Sequence, residues 1–134
     1  MRGLLVLLAA LYSSVALGQN ETRAVSNLQH EFIDCAAFYA VSQQCVGPDR
    51  DRQLYERAGQ TMEHLLALAV ETAKTIGMSD DAIQARMKMA VDDKIRIIES
   101  TCVNFSSLLV RFAQHCKRVT ERPEELLNEY MQQK

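Results

Sequence analysis

The chain of 134 residues is long enough for one domain, and its 15 basic and 17 acidic side chains give a formal net charge of −2. This balance excludes the strongly basic surface that neutralises phosphates, so we expect no nucleic-acid partner. No phosphate-binding loop, nucleophile motif or zinc-protease motif occurs, so the sequence offers no catalytic residue and no cofactor, and we expect a non-enzymatic protein.

Residues 1–18 have the three parts of a secretory signal peptide. Arg2 is the only charge, an apolar run follows, and Ala16 and Gly18 occupy the small-residue positions before a cleavage site. The apolar run is far shorter than the roughly 20 residues of a membrane-spanning helix, so we expect cleavage after Gly18 and no membrane span in the mature protein. Cleavage removes one base and no acid, which changes the formal charge from −2 to −3. Residues 19–134 then form a single helical domain, exported to the periplasm or the extracellular space.

Two long helices are predicted in the first half of the mature chain. The first covers about residues 22–46 and ends at Gly47-Pro48, because glycine adopts the left-handed conformation past a helix end and proline cannot continue a helix. Its apolar residues have the three-and-four spacing of one helix face: Val25, Leu28, Phe32, Cys35, Ala36 and Tyr39. Asp49 or Asp51 caps the second helix, which Gly77 closes. The buried face of the second helix is predicted to consist of Leu54, Ala58, Met62, Leu65, Ala69, Ala73 and Ile76.

The second half predicts three more helices. Ser79 caps the third, with two aspartates in its first turn. Residues 79–120 contain no Gly or Pro and are compatible with one helix, but the Ser, Thr, Val and Asn residues at 100–107 favour a break and a fourth helix over about residues 105–119. Pro123 starts a short last helix. The core-facing residues of the third and fourth helices are expected to be Ile83, Met87, Ala90, Ile97, Ile98, Phe105, Leu108, Leu109, Phe112 and Cys116.

The chain has no strand-like alternation, so the pattern predicts an all-α fold. We expect a four-helix-type bundle with a short additional C-terminal helix, stapled by disulfides. An even number of cysteines in an exported chain indicates two disulfides. Cys35 and Cys45 lie about 15 Å apart on one helix, too far to pair. Antiparallel packing of successive helices therefore predicts Cys45–Cys102 and Cys35–Cys116, with Cys35–Cys102 and Cys45–Cys116 as the alternative.

The sequence favours binding over chemistry. Its three histidines lie on separate predicted helices without metal-ligand spacing, so we expect no metal. The leading hypothesis is a binding or interaction protein with a protein partner in the cell envelope or the extracellular space. The alternative is a carrier of a small hydrophobic ligand in the bundle core. The candidate ligand-binding residues, which would otherwise fill the core, are Phe32, Phe38, Tyr39, Tyr55 and Met62.

Overall fold

Helices account for nearly all of the backbone that is described. The computed structural model describes the backbone of residues 2–133 and the side chains of residues 18–133. The helices are α1 (Arg2–Val46), α2 (Arg52–Thr75), α3 (Asp80–Ile97), α4 (Phe105–Glu121) and α5 (Pro123–Gln132). The predicted all-α fold with a short additional C-terminal helix is confirmed. The side chains of residues 1–17, nearly all of the predicted signal peptide at residues 1–18, lie outside the described part of the chain. Cleavage after Gly18 remains a prediction.

The helix ends follow the punctuation of the sequence. Gly47 and Gly77 have positive φ angles of 70° and 68°, so each supplies the left-handed residue that ends α1 and α2. Asp51, and not Asp49, caps α2, since its carboxylate accepts a hydrogen bond of 3.0 Å from the amide of Leu54. Ser79 caps α3 in the same way. These local hydrogen bonds fix where each helix begins.

A break separates α3 from α4, so residues 79–120 form two helices and not one. Glu99 and Ser100 both have left-handed backbone, with φ angles of 53° and 60°, which no continuous helix allows. A 3₁₀ turn at Cys102–Asn104 follows, and the side chain of Asn104 donates a hydrogen bond of 3.1 Å to the carbonyl oxygen of Ile98. The polar residues of this segment thus provide the hydrogen bonds that a helix would have provided.

Helix α1 is the centre of the bundle, because it packs against each of the other four helices. Cys35, Ala36, Ala37 and Phe38 are consecutive and all buried. Successive residues of a helix point about 100° apart, so four buried neighbours in a row mean that this part of α1 is enclosed on every side. The buried surface of this part of α1 is therefore wider than the single apolar face that the spacing predicts.

Polar residues on α1 also tie it to its neighbours. Gln29 is fully buried, and its side chain donates to the carbonyl oxygen of Ala69 on α2 while accepting a hydrogen bond of 2.6 Å from Arg86 on α3. Asp34 forms an ion pair with Lys94 of α3, whose side chain is only 2% exposed. Buried polar groups are costly unless they are paired, so these contacts fix the rotation of α1 against α2 and α3.

One disulfide connects α1 to the 3₁₀ turn before α4, and a second connects α1 to α4 itself. Cys45 pairs with Cys102 and Cys35 pairs with Cys116, with Cα atoms 5.2 Å and 5.3 Å apart. These are the pairs expected from antiparallel packing, and not the alternative pairing. Cys35 and Cys116 are fully buried, whereas Cys102 is exposed. Within the described side chains, no helix has an apolar stretch of the length needed to cross a bilayer.

Candidate functional site

A largely apolar groove opens between α1, α2 and α4, with a volume of about 260 Å³. We call it the α1–α2–α4 groove. Its lining residues are Tyr39, Ser42 and Val46 of α1, Leu54, Arg57, Ala58 and Thr61 of α2, and Phe105 and Leu109 of α4. The positions recur at three- and four-residue intervals, as expected when each helix presents one face to a common space.

Small residues at the floor of the groove create its space. Ser42 and Ala58 are each only 7% exposed, so they lie beneath the other lining residues. Neither side chain extends far enough to fill the gap between α1 and α2. The Ser42 hydroxyl donates a hydrogen bond of 2.7 Å to the carbonyl oxygen of Phe38 in its own helix. Because this hydroxyl is already satisfied, the floor can accept an apolar group without leaving a buried donor unpaired.

Two exposed leucines form the rim of the groove. Leu54 is 46% exposed and Leu109 is 42% exposed, although the sequence had assigned both to core-facing stripes. The core does not need them, because Leu65 and Leu108 are the fully buried leucines of α2 and α4. Together with the recess between them, these leucines form a contiguous apolar surface. Contiguous apolar surfaces mark binding sites more often than single exposed apolar residues do.

One cation faces this apolar lining. Arg57 is exposed, and among residues 18–133 its guanidinium enters no ion pair. The hydroxyl of Thr61 donates a hydrogen bond of 2.9 Å to the backbone carbonyl of Arg57, so it stays within α2. No acidic residue lines the groove. The groove therefore combines an apolar interior with a single positive charge that has hydrogen-bond donors to spare.

The disulfides hold two walls of the groove together. Cys45 precedes the lining residue Val46, and Cys102 precedes the lining residue Phe105 by one turn. Cys35–Cys116 joins the same two helices further along the bundle. One covalent link joins α1 to α4 and the other joins α1 to the turn directly before α4, so both limit the movement of these walls. Preformed sites lose less conformational entropy on binding.

The candidate residues predicted from the sequence do not gather around one cavity. Of the five, Tyr39 lines the groove, whereas Phe32 and Phe38 are each 3% exposed and belong to the core. Met62 packs against the core from α2, and Tyr55 is half-buried on the same helix. The remaining lining residues were missed, because nothing in the spacing of a single helix shows which apolar residues the core will leave uncovered.

A second recess of about 440 Å³ lies beside the buried ion pair of α1 and α3, and its lining is mixed in charge. The ammonium group of Lys94 pairs with Asp34 and lies 4.3 Å from the ring centroid of Phe112. Arg96 pairs with Asp93 at 3.1 Å. Arg111 also lines this recess and enters no ion pair within residues 18–133, so one positive charge remains beside the two pairs, but the recess lacks the largely apolar lining of the α1–α2–α4 groove.

A hydrogen-bonded cluster connects α1 to α4 and α5. Nε2 of His115 lies 2.6 Å from one carboxylate oxygen of Glu31, and the hydroxyl of Tyr130 donates a hydrogen bond of 2.5 Å to the other. Burial, and then the hydrogen bond to Glu31, raise the pKa of Tyr130 above its ordinary value. Both oxygens of Glu31 are occupied by groups from neighbouring helices, so the cluster connects α1 to α4 and α5.

Metal-ligating side chains do not cluster in the described part of the chain. No group of three or more His, Cys, Asp or Glu residues there is arranged to hold a metal ion. Comparison of the chain with protein-family models, curated proteins and solved structures found no match.

Proposed function

We propose that the protein is an exported, non-enzymatic binding protein and that the α1–α2–α4 groove is its binding site. The observation that carries the proposal is the pair of half-exposed leucines, Leu54 and Leu109, on either side of a recess whose floor consists of small, satisfied side chains. Burying the apolar surface of the groove against a partner is favourable by about 25 cal/mol for each Å² removed from water. A bound apolar group would complete the packing that α1, α2 and α4 leave open.

Two features support export. Residues 1–18 have the composition of a signal peptide, and two disulfides join the helices. Disulfides of this kind persist in oxidising compartments and are rare where thiols are kept reduced. Expression of the full chain with its own N terminus, followed by mass measurement of the protein in each cell fraction, tests this part of the proposal. We expect the mature chain to begin at Gln19 and to contain no free thiol, and a cytosolic chain that retains residues 1–18 would contradict it.

The groove also changes the form of the ligand-carrier alternative. Phe32 and Phe38 pack in the core with 3% exposure each, which favours a solid core over a hollow one. A carried ligand would then lie in the groove, between the same two helices that the sequence suggested but nearer the surface. The volume of about 260 Å³ is slightly below the range of about 300–1,000 Å³ typical of small-molecule pockets, so it suits one short chain or one ring system.

A neutral fluorescent probe tests the groove as a binding site. The full chain is exported, purified in its processed form and titrated with N-phenyl-1-naphthylamine, whose emission rises in an apolar environment. We expect binding by the wild type and a loss of about fivefold in affinity for each of Leu54→Gln and Leu109→Gln, since each removes apolar contact area. Val110→Gln is the matched control, because Val110 is 87% exposed, neighbours Leu109 and does not line the groove.

Three outcomes decide the proposal. Loss of probe binding in the two rim variants, with the control unchanged, supports the groove as the site. Equal loss in all three variants would mean that the probe binds elsewhere on the surface and would contradict the proposal. No binding by the wild type would contradict it as well. Both rim residues are about half exposed, so circular dichroism should show the wild-type helix content in each variant.

A further inference from the structure

We infer that the ligand of the α1–α2–α4 groove is a single-chain amphiphile with an anionic head, free in solution, whose tail lies in the groove and whose head is bound by Arg57. This inference rests on the proposed function, because it names the class of molecule that the same site takes. It is argued from the charge of the lining, from the use of its hydroxyl groups and from its volume.

The charge of the lining selects an anion. Arg57 is the one charged residue among those that line the groove, and within residues 18–133 no carboxylate pairs with it. A guanidinium carries five donors in a planar fork that matches a carboxylate or a phosphate in two parallel hydrogen bonds. A ligand with a positive head would meet this charge, and no acidic residue of the lining would compensate it. The formal charge of the whole chain is −2, so the attraction is local to the groove.

The other polar groups of the lining leave Arg57 as the recognition group. The hydroxyls of Ser42 and Thr61 both donate to backbone carbonyl oxygens of their own helices. Burial is the main cause that raises the pKa of Tyr39, so its hydroxyl stays protonated and uncharged at neutral pH. An apolar tail can therefore lie along the groove without breaking these hydrogen bonds, and Arg57 is the one charged group of the lining that an anionic head can meet.

The volume selects a single chain. A space of about 260 Å³ is too small for the two chains of a membrane lipid but suits one short alkyl chain. At one end of the groove, Cys45–Cys102 links α1 to the 3₁₀ turn that precedes α4. A monomeric amphiphile can enter such a groove from solution, whereas a bilayer surface would meet only the rim leucines.

Matched ligands and matched variants test the inference. Decanoate, decyl phosphate, decan-1-ol and decyltrimethylammonium share one tail and differ in the head, and each is titrated calorimetrically below its aggregation limit. We expect the two anions to bind about tenfold more tightly than the alcohol, and the cation to bind most weakly. Arg57→Gln should remove this preference, so that decanoate and decan-1-ol bind with equal affinity, and Arg57→Lys should keep part of it.

Arg52→Gln is the control. Arg52 is an exposed arginine in α2, like Arg57, and its substitution changes the net charge equally, but it does not line the groove. The relative affinities for decanoate and decyl phosphate show whether the groove prefers a carboxylate or a phosphate head. Equal affinity of the wild type for decanoate and decan-1-ol would overturn the inference. The proposed function would still stand in that case if the groove binds N-phenyl-1-naphthylamine. Binding to phosphatidylglycerol vesicles without binding of monomeric decanoate would also overturn it. If Arg57→Gln fails to fold, the comparison of heads on the wild type still decides.

Discussion

Removal of the carboxylate of Asp34 should be among the most damaging single changes that this bundle can receive. Asp34 on α1 is the ion-pair partner of Lys94 on α3, and the lysine side chain is 2% exposed while the aspartate side chain is 23% exposed. Asp34→Ala leaves an ammonium group buried beside the ring of Phe112 with no counter-charge. A buried charge without a partner cannot be hydrated and is not neutralised by the aromatic ring alone.

The magnitude follows from this asymmetry in burial. Breaking a buried ion pair by removal of one partner costs about 3–5 kcal/mol, and partial access of water near Asp34 favours the lower end, about 3 kcal/mol. Lys94→Met should cost less, about 1 kcal/mol, because it leaves the partly hydrated carboxylate and an apolar chain against Phe112. The double variant Asp34→Leu/Lys94→Met should recover to within about 1 kcal/mol of the wild type, since well-packed apolar pairs often replace buried ion pairs without loss.

Urea unfolding of the oxidised protein, followed by circular dichroism, measures these free energies. The slope of the free energy against urea should be the same in each variant, and Asp34→Ala should lower the thermal midpoint by about 12 °C. The control is the exposed pair of Lys88 and Asp92, whose side chains are 77% and 46% exposed, where Lys88→Ala should cost less than about 0.5 kcal/mol. The reasoning would be refuted if Asp34→Ala were no more costly than this control. It would also be refuted if the cost of the double variant equalled the sum of the costs of Lys94→Met and of a matching Asp34→Leu single variant.

Three further predictions concern pH, redox state and helix capping. The pKa of Tyr130 is raised in the folded protein, so above pH 10.0 the folded protein keeps a proton that the unfolded chain loses, and the free energy of unfolding should fall as the pH rises. Tyr130→Phe should flatten this fall in urea titrations between pH 9 and 11, and an unchanged slope would contradict the prediction. Dithiothreitol under native conditions should open Cys45–Cys102, in which Cys102 is exposed, before the buried Cys35–Cys116. Alkylation with mass mapping measures the order of opening, and the reverse order would contradict this prediction. Asp51→Ala should cost about 1 kcal/mol of unfolding free energy in urea while Asp49→Ala costs almost nothing, and equal costs would show that neither residue is the cap.

The sequence predicted the helices well because helix ends depend on neighbours in the chain. A glycine, a capping carboxylate or a proline acts within one turn, so Gly47, Asp51, Gly77 and Pro123 could be read without knowledge of the packing. Asp51 could not be separated from Asp49 in this way, since both precede the same apolar pattern and the cap is decided by a backbone angle. The break before α4 was also local, because its polar residues supply alternative hydrogen bonds.

The candidate site was not predictable in the same way. Leu54 and Leu109 have the spacing of core residues, and their exposure follows from the position of α1, which packs against all the other helices and fills the centre. Lys94 lies on the apolar stripe of α3 and is buried only because Asp34 of another helix reaches it. Spacing along one helix says which residues share a face, but not how much of that face a neighbour will cover.

The sequence by itself therefore determined the helical class, most of the helix ends and the number of cysteines available for pairing. The start of the first helix is the exception, since it was expected near residue 22 and α1 begins at Arg2. Only the tertiary structure decided that α1 is enclosed, that Leu54, Arg57 and Leu109 meet at one groove, and that both disulfides brace its walls. The physical reason is the range of the interactions. Capping and helix propensity act over a few residues, whereas a groove is the space left when side chains from three helices, distant in the chain, pack as closely as their shapes allow.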